Sequence, residues 1–140
     1  LISDPGYKLV KACIEKEIKI LPIPGPTALI TALTVSGFPP DKFIFLGYLP
    51  EKETKRRQLL EFIRSPQRPL SRLYKLTIII YESPHRLKST LEDIKEVFGD
   101  IEIVIARELT KIHEEVWRGK ISEALIYFKN PKGEFVILFS

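Results

Sequence analysis

The 140-residue chain contains no methionine, one cysteine, one tryptophan and two histidines. With Cys13 alone, no disulfide can close within it, which suits a reducing cytosol. His85, His113 and that single thiol show no spacing of the kind that holds zinc, so no metal is expected. No apolar run approaches the ~20 residues that cross a bilayer. A charged segment leading into an apolar one with a small-residue cleavage site is also missing from the start. Without an initiator methionine, the chain is expected to be a piece of a longer gene product.

What is present reads as a folded α/β protein. Hydrophobic residues make up 44% and charged residues 29%, ordinary proportions for a chain that buries a core. A net charge of +4 and a pI near 9.2 are mildly basic, compatible with a nucleic-acid partner but shared by many unrelated proteins. Ser3 or Asp4 can cap a helix with Pro5 in its first turn, and Leu9, Val10, Cys13 and Ile14 form an apolar stripe. Residues 18–23 read as a strand, stopped by Pro24-Gly25-Pro26. A nearly all-apolar helix is predicted from Thr27 to Ser36, ended by Gly37 and Pro39-Pro40. A domain boundary is placed at 37–41.

Beyond it the pattern predicts a strand at 43–49, a charged helix at 51–64 and an exposed loop at 65–75. A strand at 76–81 leads into a helix with Ser83 as N-cap and Pro84 at its first position. Leu87, Leu91, Ile94 and Phe98 make its apolar face, and Gly99 ends it. Strands at 101–107 and 115–118, a short helix at 122–129, a turn at 130–133 and a strand at 134–139 complete the reading. The runs 76–80 and 101–105 are β-branched and apolar on both alternating sets, as in strands buried on both faces. Each run ends in a polar string, Tyr81-Glu82-Ser83-Pro84-His85-Arg86 and Ala106-Arg107-Glu108-Leu109-Thr110-Lys111. Ligands gather at the carboxyl ends of such strands, and two adjacent strand ends would outline one site.

The chemistry of these strings has two readings each. Pro24-Gly25-Pro26-Thr27-Ala28 is either an ordinary strand-to-helix turn or a helix start offering free N–H groups to a ligand. His85 and Arg86 sit in a first helical turn, where the macrodipole disfavours cations. They either pair with Glu82 or meet an anion. Arg107, Glu108 and Lys111 are either a surface salt-bridge cluster or a carboxylate between two cations, ready to accept a hydrogen bond. Lys52, Lys55, Arg56, Arg57, Arg64, Arg68, Arg72 and Lys75 concentrate positive charge. Residues 52, 55 and 56 share a helix face that either meets solvent or follows a phosphate backbone.

Taken in order, the strings at 1–7, 22–28, Gly47-Tyr48-Leu49-Pro50, 81–87, 106–111 and Lys132-Gly133-Glu134-Phe135 resemble the bacterial ribosomal RNA small-subunit methyltransferase I family, within the tetrapyrrole-methylase fold. The resemblance runs along nearly the whole chain. It implies transfer of a methyl group from S-adenosylmethionine to the ribose 2′-oxygen of a cytidine in 16S rRNA, by a cytoplasmic homodimer with its cofactor between two α/β domains. Residues 1–38 would then be the last helix–strand–helix of the amino-terminal domain, and 41–140 the carboxyl-terminal domain. By position, Thr27, Ala28, Tyr81, Glu82, Glu134 and Phe135 fall where the family lines its cofactor. His85, Arg86, Arg107 and Lys111 are assigned to the RNA substrate by their chemistry, and Glu108 to catalysis, accepting or orienting the hydroxyl proton. Two departures stand out: the 65–75 loop is long for the family, and the helical extension some members carry after the last strand is lacking. With half of the cofactor cleft lying upstream, the chain alone is expected to bind cofactor weakly and to be inactive. A tetrapyrrole-precursor methylase, or a fragment that only binds RNA or dimerises, are the competing readings.

Overall fold

The computed structural model describes residues 2–65 and 76–140. The basic loop read at 65–75 falls, apart from Ser65, outside them. Five strands, β1 (Phe43–Tyr48), β2 (Thr77–Glu82), β3 (Glu102–Arg107), β4 (Glu115–Lys120) and β5 (Phe135–Phe139), form one mixed sheet in the order β1-β2-β5-β3-β4. β1 and β2 are parallel, whereas β5 runs antiparallel to both β2 and β3, and β4 antiparallel to β3. The ends of β2 and β3 are therefore on one edge of the sheet, as expected, but they are not adjacent. The start of β5 lies between them, with Phe135 opposite both Glu82 and Arg107.

Alternation along the three central strands makes two cores. On one face Ile78, Ile80, Ile103, Ile105, Ile137 and Phe139 pack with helices α3 (Glu53–Arg64), α4 (Leu87–Phe98) and α5 (Ile121–Tyr127). On the other, Ile79, Val104, Ala106, Val136 and Leu138 pack with Leu29, Ala32 and Leu33 of α2 (Ala28–Ser36). Strands buried on both faces read as continuous apolar runs, which is how β2 and β3 were legible. Gly37, with φ of 81°, ends α2 in the left-handed conformation as predicted. Thr77 Oγ1 donates to the Pro39 carbonyl at 2.8 Å and ties the end of α2 to the start of β2.

Three expectations are corrected. Residues 18–23 are not a strand, and helix α1 (Tyr7–Glu15) buries none of its residues. A strand forms only against a partner strand, and the described chain offers these residues none, so Ile23 stays 90% exposed. α4 begins at Leu87, not at Ser83–Pro84. The Ser83 N–H is taken by Glu82 Oε1 at 2.8 Å, and residues 84–86 make a turn in which the Ser83 carbonyl accepts from Arg86 and Leu87 N–H. The predicted cationic face of α3 also fails at Arg56, which is 4% exposed. Its Nε donates to Asp93 Oδ2 at 2.5 Å, and Arg57 Nε donates to Asp93 Oδ1 at 2.7 Å. Lys52 and Lys55 remain exposed.

The Arg56–Asp93 pair joins α3 to α4 in the core, where an orphaned charge is costly. Replacing Asp93 with alanine is expected to lower stability by about 3–5 kcal/mol in urea unfolding. A loss under about 1 kcal/mol would show the pair to be dispensable.

Candidate active site

Tyr48, Tyr81, Glu82, Arg107 and the residues leading into β5 converge on the edge described above. Two clefts open there, meeting along Ala28 and Glu134. One, of about 190 Å³, is lined by Ile2, Ser3, Ala28, Tyr48, Tyr81, Glu134, Phe135 and Val136. The other, of about 240 Å³, is lined by Pro26, Thr27, Ala28, Thr31, Leu109, Thr110, Lys111 and Glu134. Five of the six residues assigned to a cofactor thus come together: Thr27, Ala28, Tyr81, Glu134 and Phe135. Glu82 does not join them.

The Glu82 side chain is wholly buried and its oxygens are engaged, Oε1 by the Ser83 N–H and Oε2 by Thr90 Oγ1 at 2.6 Å. Arg86 Nε lies 3.5 Å from Oε1, so the ion pair weighed for this string is present. The same guanidinium donates through Nη2 to the Leu49 carbonyl at 2.7 Å and the Pro50 carbonyl at 3.3 Å. His85 is exposed on the turn and lines neither cleft.

Tyr81 has the opposite arrangement. Its ring packs edge-on against Phe45, with centroids 4.7 Å apart, and its hydroxyl accepts from the Leu29 N–H at 3.0 Å. The first N–H groups of a helix have no intrahelical partner, and Thr27 makes no side-chain cap. Tyr81 supplies one of those partners and fixes the start of α2 beside the clefts.

The second string forms a tight hub. Lys111 Nζ lies 3.1 Å from Glu108 Oε1 and 2.9 Å from Glu134 Oε2, while Glu108 Oε1 also accepts from the Glu134 N–H at 2.9 Å. The Glu108 N–H donates to the Glu134 carbonyl at 3.0 Å, so this residue holds the lead-in to β5 through both backbone and side chain. Glu108 and Thr110 adopt φ of 49° and 66°, unusual for residues with a side chain. Gly133 is the residue that permits the close approach. A Cβ there would come within 2.6 Å of Glu108 Cγ, and its φ is 98°. Arg107 Nη1 donates to Glu115 Oε2 at 3.1 Å, while its buried Nε has no partner among the described residues. Arg107 and Glu108 line a further cleft of about 250 Å³ with His113, Lys132 and Gly133.

These bonds set the protonation states. The Glu134 N–H, and then the Lys111 ammonium, lower the Glu108 carboxyl below its ordinary value. Hydrogen bonds to Glu134 and then Glu108 raise Lys111, so it remains a cation. Tyr48 and Gly133 stand within motifs of the sequence, but no role follows for them from the motifs alone. A tyrosine closing a strand just before Leu49-Pro50 is the signal that points to the cleft mouth.

This arrangement of sheet, helices and clefts has relatives. The family described as Tetrapyrrole (Corrin/Porphyrin) Methylases matches residues 1–125, and the chain belongs to that family. More particularly, it is 48% identical over its whole length to the "Ribosomal RNA small subunit methyltransferase I" of Thermotoga maritima, covering 60% of that protein. It is 46% identical over 99% of its length to the protein of the same name from Synechocystis, covering 48% of that one. The chain therefore spans about half the length of the curated relatives it matches. Among solved structures, the methyltransferase CobJ superposes with a TM-score of 0.62 at 19% identity, over 94% of this chain and 55% of that one. A uroporphyrin-III C-methyltransferase from Thermus thermophilus, complexed with S-adenosyl homocysteine, gives 0.58 at 15% identity, over 95% of this chain and 58% of that one. At those identities the likeness is one of fold.

The sign of pH dependence follows from the hub. A carboxyl lowered in the folded state contributes stability above its ordinary value of 4.5, and loses it as pH falls through the lower folded value. The stability gap between the unaltered protein and Glu108→Gln is expected to narrow as pH drops from about 6 to about 2 in thermal unfolding. A gap that stays constant would contradict it.

Proposed function

We propose that this chain is the catalytic carboxyl-terminal part of an S-adenosylmethionine-dependent methyltransferase that modifies the ribose 2′-oxygen of a cytidine in 16S rRNA. The observation that carries the reading is the convergence of Thr27, Ala28, Tyr81, Glu134 and Phe135 on two joined clefts. Relatives at 41–48% identity named for rRNA methylation support the substrate class, whereas likeness to tetrapyrrole enzymes rests on fold at 14–19% identity.

The lining suits the cofactor's chemistry. Small Ala28, the ring of Tyr81 and Val136 offer an apolar wall for a planar base, while Thr27, Lys111 and Glu134 offer polar groups to an amino-acid moiety. When bound, the cofactor supplies an activated methyl group whose transfer needs chiefly in-line positioning of the hydroxyl. The residues favour that division of labour. Glu108 is a weakened base, so it accepts a hydrogen bond from the hydroxyl or orients its neighbours, and the proton that the oxygen loses as the methyl group arrives passes to solvent. Lys111 stays charged and holds an anionic group of the substrate or cofactor.

The test is methyl transfer by the full-length protein from tritiated S-adenosylmethionine to small-subunit particles with unmodified rRNA, alongside a uroporphyrinogen substrate. Label is expected in a cytidine ribose, read as an alkali-stable dinucleotide. Label in the tetrapyrrole, or none in rRNA, would refute the reading. Glu108→Gln is expected to lower kcat at least about tenfold without altering the shape of the pH–rate profile. Near-normal turnover would remove Glu108 from catalysis.

The chain spans about half the length of the relatives it matches, so the 140-residue chain by itself is expected to bind S-adenosylmethionine weakly or not at all. Micromolar binding in calorimetry would contradict that.

A further inference from the structure

Tyr48 is the most exposed ring at the cleft mouth, at 54%, on a backbone held on both sides. It closes β1, the outermost strand of the sheet on that side. The β1–β2 register shifts between Phe45 and Tyr48, and Gly47 takes a φ of 62° at that irregularity. Such irregularities re-aim the next side chain. On the far side Leu49 is 2% exposed, and its carbonyl accepts from Arg86 at 2.7 Å. The ring itself meets Tyr81 edge-on, with centroids 6.0 Å apart at 69°, and Tyr81 is in turn fixed by Leu29. The exposure of Tyr48 therefore does not come from looseness.

A large aromatic kept half in water on a rigid mount forgoes burial energy. We propose that Tyr48 is a stacking platform for a nucleobase of the RNA substrate, set at the rim of the cleft in which the reaction takes place. This rests on the rRNA reading above. Two features favour an RNA base over the cofactor's own. Ala28, Tyr81 and Val136 already supply an apolar wall inside the cleft. The chain leaving Tyr48 also carries Lys52 and Lys55, both exposed and forming no ion pair among the described residues, although Arg56 and Arg57 nearby are consumed by Asp93. An aromatic face followed by free cations is the arrangement by which proteins hold single-stranded RNA, bases on the ring and phosphates on the lysines.

The experiment compares Tyr48→Leu and Tyr48→Phe in the full-length protein. It measures KM and kcat for small-subunit particles, and the Kd of S-adenosylhomocysteine by calorimetry. Tyr48→Leu is expected to raise KM for the particles about tenfold, and Tyr48→Phe to stay within about twofold of the unaltered protein. The Kd of S-adenosylhomocysteine should stay within about twofold in both. An unchanged KM in Tyr48→Leu would overturn the proposal. So would a rise in Kd in place of KM, which would assign the ring to the cofactor, or equal losses in both variants, which would assign the effect to the hydroxyl. If the unaltered protein methylates no rRNA, the functional reading fails along with this one. If it does and the variants match it, only the stacking role of Tyr48 fails.

Discussion

Two arginines, Arg56 buried and Arg86 half-buried, hold the carbonyls of one turn, and the geometry of the candidate site depends on that grip. Arg86, paired with Glu82 at the end of β2, donates to the Leu49 and Pro50 carbonyls. Arg56, paired with Asp93 of α4, donates to the Pro50 and Glu51 carbonyls. The turn between β1 and α3 is thus fastened to the sheet on one side and to two helices on the other. Burying Arg56, Asp93 and Glu82 carries a large desolvation cost, and it is tolerable only because most of their polar atoms find partners. An apolar cluster would stabilise a helix–helix contact as well. It would not fix the direction in which a turn leaves a strand, and that direction determines where Tyr48 stands.

The grip also changes what the positive charge means. The net charge of +4 and the run of lysines and arginines through 52–57 suggest a basic helix face. Arg56 and Arg57 are in fact structural ions, one buried and one shared among Asp93, Glu96 and Glu53. At the site edge, Lys111 is offset by Glu108 and Glu134, and Arg107 by Glu115. Net charge is a property of the whole surface, so it says little about which cations can meet a phosphate. The exposed lysines at 52 and 55 are better placed for that task than the arginines of the two motifs.

The legible parts of the fold were those specified by local pattern. β2 and β3 announce themselves because they are buried on both faces, and Gly37 marks the end of α2 because a left-handed stop needs glycine. Strand order was not legible. Ile103–Ile105 and Ile78–Ile80 read alike whether they are neighbours or flank an antiparallel β5, since alternation reports faces and not partners. The strand at 18–23 failed for the complementary reason: its residues have the propensity, but ladder partners are a tertiary matter. Ser83-Pro84 has the form of a helix start, but residues 84–86 form a turn closed by Arg86 N–H on the Ser83 carbonyl, and the regular helix begins only at Leu87. The site was legible as a set of strand ends, whereas the inward turn of Glu82 and the prominence of Tyr48 depend on packing that single residues do not encode.

The insertion of β5 between β2 and β3 has a chemical consequence. Were the two motif-bearing strands adjacent, Glu82 and Glu108 would be neighbours on one edge and compete for the same cations. With Phe135 between them, each acid has its own partner, Arg86 for one and Lys111 for the other. Methyl transfer from a sulfonium tolerates this, because the electrophile arrives activated and the demand on the protein is alignment. A reaction that had to remove a proton from carbon would need a carboxylate raised toward neutrality, and Glu108 is driven the other way by the backbone it holds. This edge is therefore built for alignment more than for proton abstraction, and its rigidity derives from the backbone hub at Glu108, Gly133 and Glu134.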